Sequence, residues 1–351
     1  LAANRASIAD LAKKLNISVS TVSRALNNHT SISESTRKKV WQLAKEVNYQ
    51  PNHLAAALRK GRSNLLGVMV PHIEGHFFSS VMHGIETVAS KVGFNVMICQ
   101  SNENVASEKK NIESLLNAQV EGVLVSLARN THDFKHFEKV SKRAIPLVFF
   151  DRVLEGLNVS SVIIDDYLGA YQAVTHLIEQ GCQRIAHFAG PQHLNIYKNR
   201  QRGYQDALQA HGLSVEDDLI FTCDMKTEDG VEGMEKLLAL AVPPDAVFSA
   251  SDFSAVGAMQ VLKARQLRVP HDMALVGFSN ETFTSLTEPR ITSVDQRCEQ
   301  MGQSAVKLFL EMLEEKSGEF SPRRIVLQPE LLIRESSLRL QPHLIPHVTA
   351  R

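Results

Sequence analysis

At 351 residues the chain is roughly two to three times the usual domain length, so two or three domains with sizeable cores are expected and a small stapled scaffold is excluded. Hydrophobic residues make up 44% and charged residues 22%, ordinary globular values that exclude a disordered or collagen-like chain. Lys plus Arg equals Asp plus Glu at 38 each, yet residues 1–62 hold 11 cations against three acids, leaving 27 against 35 for the remainder. A basic head on an acidic body suits a phosphate-neutralising module joined to one that binds something else, although a solvated helical surface that happens to be basic reads the same way. No uncharged apolar run is long enough to span a bilayer, and residues 1–8 hold no signal core, which predicts a chain neither inserted in a membrane nor exported. The four cysteines lie far apart without a Cys-x-x-Cys, as expected of ordinary thiols in a reducing cytoplasm.

In the head, Ser7 and Asp10 have capping-box spacing, and Ile8, Leu11, Ala12 and Leu15 recur at helical intervals up to Asn16. Ser18 can cap a second helix, Val19 to Leu26, with Val22, Ala25 and Leu26 inward and Val19, Ser20, Ser23 and Arg24 outward. Two short helices separated by Asn16-Ile17-Ser18 have the spacing of a helix-turn-helix, whose second helix projects into a major groove. A third helix is expected from Ser33 or Glu34 through Val47, burying Trp41 or Leu43.

The run Ile8-Ala9-Asp10-Leu11-Ala12, then Val19-Ser20-Thr21-Val22-Ser23-Arg24-Ala25-Leu26-Asn27, then Ser33-x-x-Thr36-Arg37 and Asn48-Tyr49-Gln50-Pro51-Asn52, closely resembles the head of the lactose repressor/galactose repressor family of bacterial transcription regulators. The resemblance extends over nearly the whole chain. It implies that Ser7, Ser18, Val19, Ser20, Thr21, Ser23, Arg24, Asn27, Tyr49 and Asn52 meet DNA, and that residues 51–62 form a hinge that turns helical there. Leu58 matches the family's leucine that wedges between base pairs from the minor groove, and Arg59 sits beside it. A piece this short is not a stable helix alone in water.

From Leu65 onward apolar runs alternate with amphipathic stretches: Leu65–Val70, Asn95–Cys99, Gly122–Val125, Leu147–Phe150, Val162–Ile164, Arg184–Phe188, Ala246–Ser249 and Ala274–Gly277 read as strands. Repeated strand-then-helix order predicts parallel sheets covered on both faces, here in two lobes. The expected class is thus an α/β body of the periplasmic-binding-protein type behind a small all-α helix-turn-helix domain. The predicted boundaries are 1–50 for the head, 51–62 for the hinge and 63–339 for the body, followed by a tail at 340–351. Within the body, residues 63–161 and 295–320 are assigned to one lobe and 162–294 and 321–339 to the other, with crossovers near 160–162, 294–296 and 320–323.

No dinucleotide, phosphate-loop or nucleophile-elbow motif occurs, so a binding body is favoured over an enzyme, and neither cofactor nor metal is implied. His132 and His136 have i, i+4 spacing but no accompanying motif, and are expected on a solvated face. Candidate effector residues come from strand ends, the loops after them and the resemblance. Asp151 and Arg152, and Ser251 and Asp252, end strands; the resemblance implies that Phe77 and Phe78 (either of which could instead be core), Arg200, whose planar fork can hold two ligand oxygens, and Met225 face the ligand; and Gln296 lies at a crossover. Where the family usually has Gly-Phe/Tyr-Asp-Asn, this chain has Gly277-Phe278-Ser279-Asn280. Ser279 removes an anion from the expected pocket. That admits a sugar acid as well as a neutral sugar, unless Asp151 compensates. The combined expectation is a cytoplasmic repressor that binds a pseudo-palindromic DNA operator as a homodimer under control of a small-molecule effector, most simply a carbohydrate or sugar derivative. A sugar-binding transport protein of the same body fold is the alternative, disfavoured by the basic head. The tail lacks a heptad repeat, so a dimer rather than a tetramer is expected.

Overall fold

The structure is a computed structural model that describes residues 6–49, 62–153, 159–315 and 321–339. It divides into two compact units, Leu1–Ser63 and Asn64–Arg351.

The described residues of the first unit include the helices α1 (Ile8–Leu15), α2 (Val19–Leu26) and α3 (Glu34–Glu46). Each begins at a serine, Ser7, Ser18 or Ser33, whose hydroxyl accepts an N–H from the third residue beyond it. Asp10 returns a bond to the Ser7 N–H, completing the reciprocal cap, and these bonds hold its carboxyl below the usual range. Leu11, Val22, Ala25 and Val40 are fully buried where the helices meet, with Leu43 and Tyr49 packed at the edge of that core. Of the two residues proposed for burial on α3, Leu43 is the one that packs. Trp41 is 48% exposed, because Val40 and Ala44 already fill the inward stripe.

The second unit contains two six-stranded sheets. Strands β1 (Leu65–Val70), β2 (Asn95–Gln100), β3 (Gly122–Val125), β4 (Leu147–Phe150), β5 (Ser160–Ile164) and β11 (Arg324–Leu327) form the first, in the order β11-β5-β4-β3-β1-β2. All its neighbours are parallel. Strands β6 (Ile185–Ala189), β7 (Ile220–Thr222), β8 (Ala246–Ser249), β9 (Ala274–Phe278), β10 (Thr292–Asp295) and β12 (Glu330–Leu332) form the second, in the order β12-β10-β9-β8-β6-β7. There the edge strand β12 runs antiparallel to β10, a departure from an all-parallel reading.

The helices that cover the sheets and carry the site are α4 (His76–Ala89), α5 (Val105–Asn117), α6 (Glu138–Ser141), α7 (Asp166–Glu179), α8 (Asn195–Ala210), α9 (Thr227–Leu238), α10 (Asp252–Ala264) and α11 (Cys298–Glu314). Glycine is required where helices pack closely, most tightly in two reciprocal pairs. A Cβ on Gly84 of α4 would lie 2.1 Å from the Glu299 carbonyl of α11, and one on Gly302 of α11 would lie 2.1 Å from the Val81 carbonyl of α4. Gly230 of α9 and Gly257 of α10 meet their partners in the same reciprocal way.

The crossovers between lobes differ from those expected. Strand β5 stays in the first sheet, paired with β4 from Val148↔Ser160 to Phe150↔Val162, so the chain leaves that lobe after Ile164 rather than near 160–162. Strand β11 then pairs with β5, so the last crossover follows Leu327 rather than lying near 320–323. The reason is that β5 is buried along its whole length and its free edge needs another strand. The remaining crossover passes through Gln296, between β10 and α11.

Candidate functional site

Between the lobes lies a cavity of about 510 Å³, walled by the segments that leave the carboxyl ends of the parallel strands. From the first lobe come His72 and Glu74 after β1, Phe77 and Phe78 at the start of α4, Gln100 at the end of β2 with Asn102 and Glu103 after it, Arg129 after β3, and Asp151 and Arg152 after β4. The second lobe supplies Tyr197 and Arg200 on α8, Asp224 and Met225 after β7, Ser251 after β8, and Ser279 and Glu281 after β9. Gln296 reaches the same cavity from a crossover.

Nine of the ten predicted effector residues therefore share one cavity: Phe77, Phe78, Asp151, Arg152, Arg200, Met225, Ser251, Ser279 and Gln296. Asp252 does not line it. Although adjacent to Ser251, it is fully buried behind the wall, where its carboxylate accepts the Glu281 N–H at 2.8 Å and the Ser293 hydroxyl at 2.7 Å. The first residue of α10 turns toward the sheet while the Ser251 cap faces the cavity. Burial pushes the Asp252 carboxyl up to about 7 against those two bonds.

Arg200 lies at the cavity floor, but its fork is not open to a pair of ligand oxygens. Its Nε donates to Asp166 at 2.8 Å, Nη1 to the Ala250 carbonyl at 2.8 Å and Nη2 to Gln296 at 3.1 Å, while Nη2 also sits 2.7 Å from Asp166. The guanidinium carbon stacks 3.7 Å over the Phe278 ring. Burial pushes the Asp166 carboxyl up to about 7, against the pull of Arg200, and its Oδ2 has no hydrogen-bond partner among the described residues.

The first-lobe wall is built on Glu103, which sequence reasoning missed. It accepts the Arg129 N–H at 2.7 Å and holds Arg152 Nη1 at 2.8 and 2.9 Å. Burial raises its carboxyl, but Arg152 and Arg129 outweigh this and leave it below the usual range. Asp151 accepts the Ser126 hydroxyl at 3.1 Å, and burial raises its carboxyl despite Arg152 and Arg200. Asp151 thus places a carboxylate in the cavity that lacks one at Ser279.

Several contacts join the lobes. Arg129 Nη1 meets Asp224 at 2.9 Å. The Asn195 amide accepts the Val153 N–H at 2.9 Å and donates to the Asp151 carbonyl at 3.1 Å. The Glu281 carboxylate accepts the N–H groups of His76 at 2.7 Å and Phe77 at 3.3 Å. Asn102, Glu103, Asp151, Met225 and Ser279 all have positive φ, from 53° to 120°, so backbone strain concentrates around the cavity. His136, expected on a solvated face, is instead buried, with Nε2 2.7 Å from the equally buried Glu108, which also caps the Ala128 N–H.

In the head, Val19, Ser20 and Arg24 are exposed on α2, and Thr21 and Ser23 are half-buried. The Ser18 hydroxyl is engaged with Ser20 at 2.7 Å and Thr21 at 2.8 Å, and the Asn27 amide donates to the Ser23 carbonyl. Ser7 serves as the α1 cap and Tyr49 packs on the head core. Asn52, Leu58 and Arg59 lie outside the described residues.

Residues 7–52 match the model for bacterial regulatory proteins of the lacI family, and residues 174–337 match that for a periplasmic binding protein-like domain. The HTH-type transcriptional repressor CytR of Escherichia coli (strain K12) is 33% identical over 335 residues, covering 95% of this chain and 97% of that protein. The chain belongs to the lacI family of bacterial regulatory proteins. Among solved structures, the lac repressor dimer bound to operator and the anti-inducer ONPF is 26% identical, with a TM-score of 0.85 over 96% of this chain and all of that one. A complex of the transcriptional regulator CelR with cellobiose is 31% identical, with a TM-score of 0.72 over 95% of this chain and 100% of that one. This chain is accordingly a DNA-binding transcriptional regulator under effector control, and its relatives are repressors rather than enzymes. Among the described residues no helix is long and apolar enough to cross a membrane.

Proposed function

We propose that this regulator is a cytoplasmic, homodimeric repressor that reads a pseudo-palindromic operator through Val19, Ser20 and Arg24, and that a carbohydrate or sugar derivative in the interlobe cavity sets its operator affinity. The observation that carries the reading is the cavity itself, about 510 Å³ and lined from both lobes, since only a ligand touching both can favour one lobe orientation over another. The buried aromatic pair Phe77 and Phe78 offers apolar faces, and Asp151, Arg152, Ser251 and Gln296 offer hydrogen-bonding groups suited to hydroxyls. CelR, a relative with the same fold, has a solved structure in complex with cellobiose, which supports that ligand class. In the head, the exposed side chains of α2 sit above a core that fixes their spacing.

Fluorescence anisotropy with palindromic duplexes, at several salt concentrations and with each candidate sugar added, tests the proposal. Specific, salt-sensitive binding that changes with one sugar is expected. Binding indifferent to every ligand that raises the melting temperature would remove the effector reading.

A further inference from the structure

Glu281 follows β9 in the second lobe, yet its carboxylate takes the first two N–H groups of α4 in the first, His76 at 2.7 Å and Phe77 at 3.3 Å. Those orphan donors, at the positive end of the helix macrodipole, are where an anionic ligand group in this cavity would otherwise be held. The approach is built in. Gly75, at φ 85°, lies where a Cβ would come within 3.3 Å of the Glu281 carboxylate, and the Glu281 backbone is fixed from below by Asp252. Glu281 is 5% exposed, so solvent screens its charge weakly.

The three guanidiniums of the cavity wall are each paired with a carboxylate. Arg129 pairs with Asp224, Arg152 with Glu103 and Arg200 with Asp166, at 2.7 to 2.9 Å, and Lys226 is exposed at the rim. Asp151 adds a further buried carboxylate facing the same space. A carboxylate or phosphate brought into this cavity would meet guanidiniums that each already face a carboxylate, with only the Nε–H groups of Arg129 and Arg152 left without a partner among the described residues, would find the helix end occupied, and would stand beside Glu281. Burying an uncompensated charge is strongly unfavourable, whereas hydroxyls can donate to these same carboxylates.

We infer that Glu281 acts as a resident anion that makes the interlobe cavity select uncharged polyhydroxyl effectors and reject their carboxylated and phosphorylated counterparts. This rests on the effector reading proposed above and narrows it. The loss of an aspartate at Ser279 therefore does not open the cavity to sugar acids, because Glu281 places a carboxylate in the same cavity.

Matched pairs differing only in charge provide the test: D-glucose with D-glucuronate, D-galactose with D-galacturonate, D-ribose with ribose 5-phosphate, and cellobiose with its uronic acid. Thermal shift on the full chain ranks them, and calorimetric titration measures each pair that contains a stabilising member. In the wild-type protein the neutral member is expected to bind at least tenfold more tightly than its partner. Glu281→Gln should shrink that ratio severalfold, while Glu281→Asp, which keeps the charge, should preserve it. An anionic member that binds the wild type as tightly as its neutral partner overturns the inference, as does a ratio unchanged in Glu281→Gln when both variants melt as the wild type does. Either result leaves the effector reading standing. If no member stabilises the wild type, the carbohydrate effector reading fails, and this inference with it.

Discussion

Replacing Arg200 by alanine removes a cation from a site where its partner has no alternative. Asp166 is 2% exposed, its Oδ1 takes both the Nε and Nη2 groups of Arg200, and its Oδ2 has no hydrogen-bond partner among the described residues. Breaking one side of a buried pair leaves an uncompensated charge and costs roughly 3–5 kcal/mol, a large share of a typical total of about 5–15 kcal/mol. The buried Ala250 carbonyl and the Gln296 amide oxygen lose their donors as well, which places the expected loss toward the upper end of that range. Burial already pushes Asp166 up to about 7, and removing the guanidinium raises it further, so the folded variant holds a proton that the unfolded chain releases near 3.8. Its stability deficit should therefore be smaller at pH 5 and grow toward pH 8. Urea unfolding followed by far-UV circular dichroism at both pH values measures this. Arg200→Met combined with Asp166→Asn should recover most of the loss, giving a clearly non-additive cycle. A deficit below about 1 kcal/mol, the same at both pH values, would refute the account of a committed buried pair. Where the pair is committed as described, loss of effector response in Arg200→Ala alone follows from a damaged cleft floor as readily as from a lost ligand contact.

Exchanging Val19 and Ser20 should change the operator recovered by binding-site selection while leaving non-specific binding nearly intact, since base contacts discriminate and phosphate contacts position; recovery of an unchanged consensus would dismiss α2 as the reading helix. Gly302→Ala forces a Cβ to within 2.1 Å of the Val81 carbonyl, and the α4–α11 pair should separate at a cost of about 1–3 kcal/mol, read as a lowered melting temperature. Asn195→Ala leaves the Val153 N–H and the Asp151 carbonyl without their bonds, at about 1–3 kcal/mol for each buried group left unsatisfied, and should widen the cleft in small-angle scattering. Asp252, raised to about 7 in the fold from 3.8, binds more protons folded than unfolded between those values, so wild-type stability should fall as pH rises from 4 to 7, by at most about 4 kcal/mol from this group. Asp252→Asn should flatten that slope in denaturant titrations across the range; an unchanged slope would show that the group does not titrate there.

What the sequence made legible was whatever a local period or a strand end announces. The apolar runs at Leu65–Val70, Gly122–Val125, Leu147–Phe150 and Ala246–Ser249 coincide with strands because each is buried on both faces and bounded by polar or turn residues. Strand β7 went unread because Ile220–Thr222 is three residues long, and without it nothing marked Asp224 as a strand-end residue facing Arg129. Glu103 and Glu281 are different. Each lies a few residues beyond a strand that was anticipated, but each acts through pairing with residues far along the chain, Arg152 in one case and the start of α4 in the other. The same limit explains Arg200, whose place at the cavity could be read whereas its commitment to Asp166 could not.

Backbone strain around the cavity ties these observations together. Of the five cavity residues with positive φ, only Asn102 and Asp151 are types that commonly tolerate it; Glu103, Met225 and Ser279 carry no local signal of it. Each lies just beyond a strand end, where the chain must turn sharply to bring a side chain into the wall instead of continuing over the sheet. Their packing and hydrogen bonds hold them there: Glu103 through two arginines, Asp151 through Ser126, and Ser279 through the Gln296 amide that donates to its hydroxyl at 2.8 Å. A wall fixed in this way before any ligand arrives reduces the ordering a ligand must impose, so ligand binding can act on the orientation of the lobes, through the Arg129–Asp224 and Glu281–His76 contacts that span them.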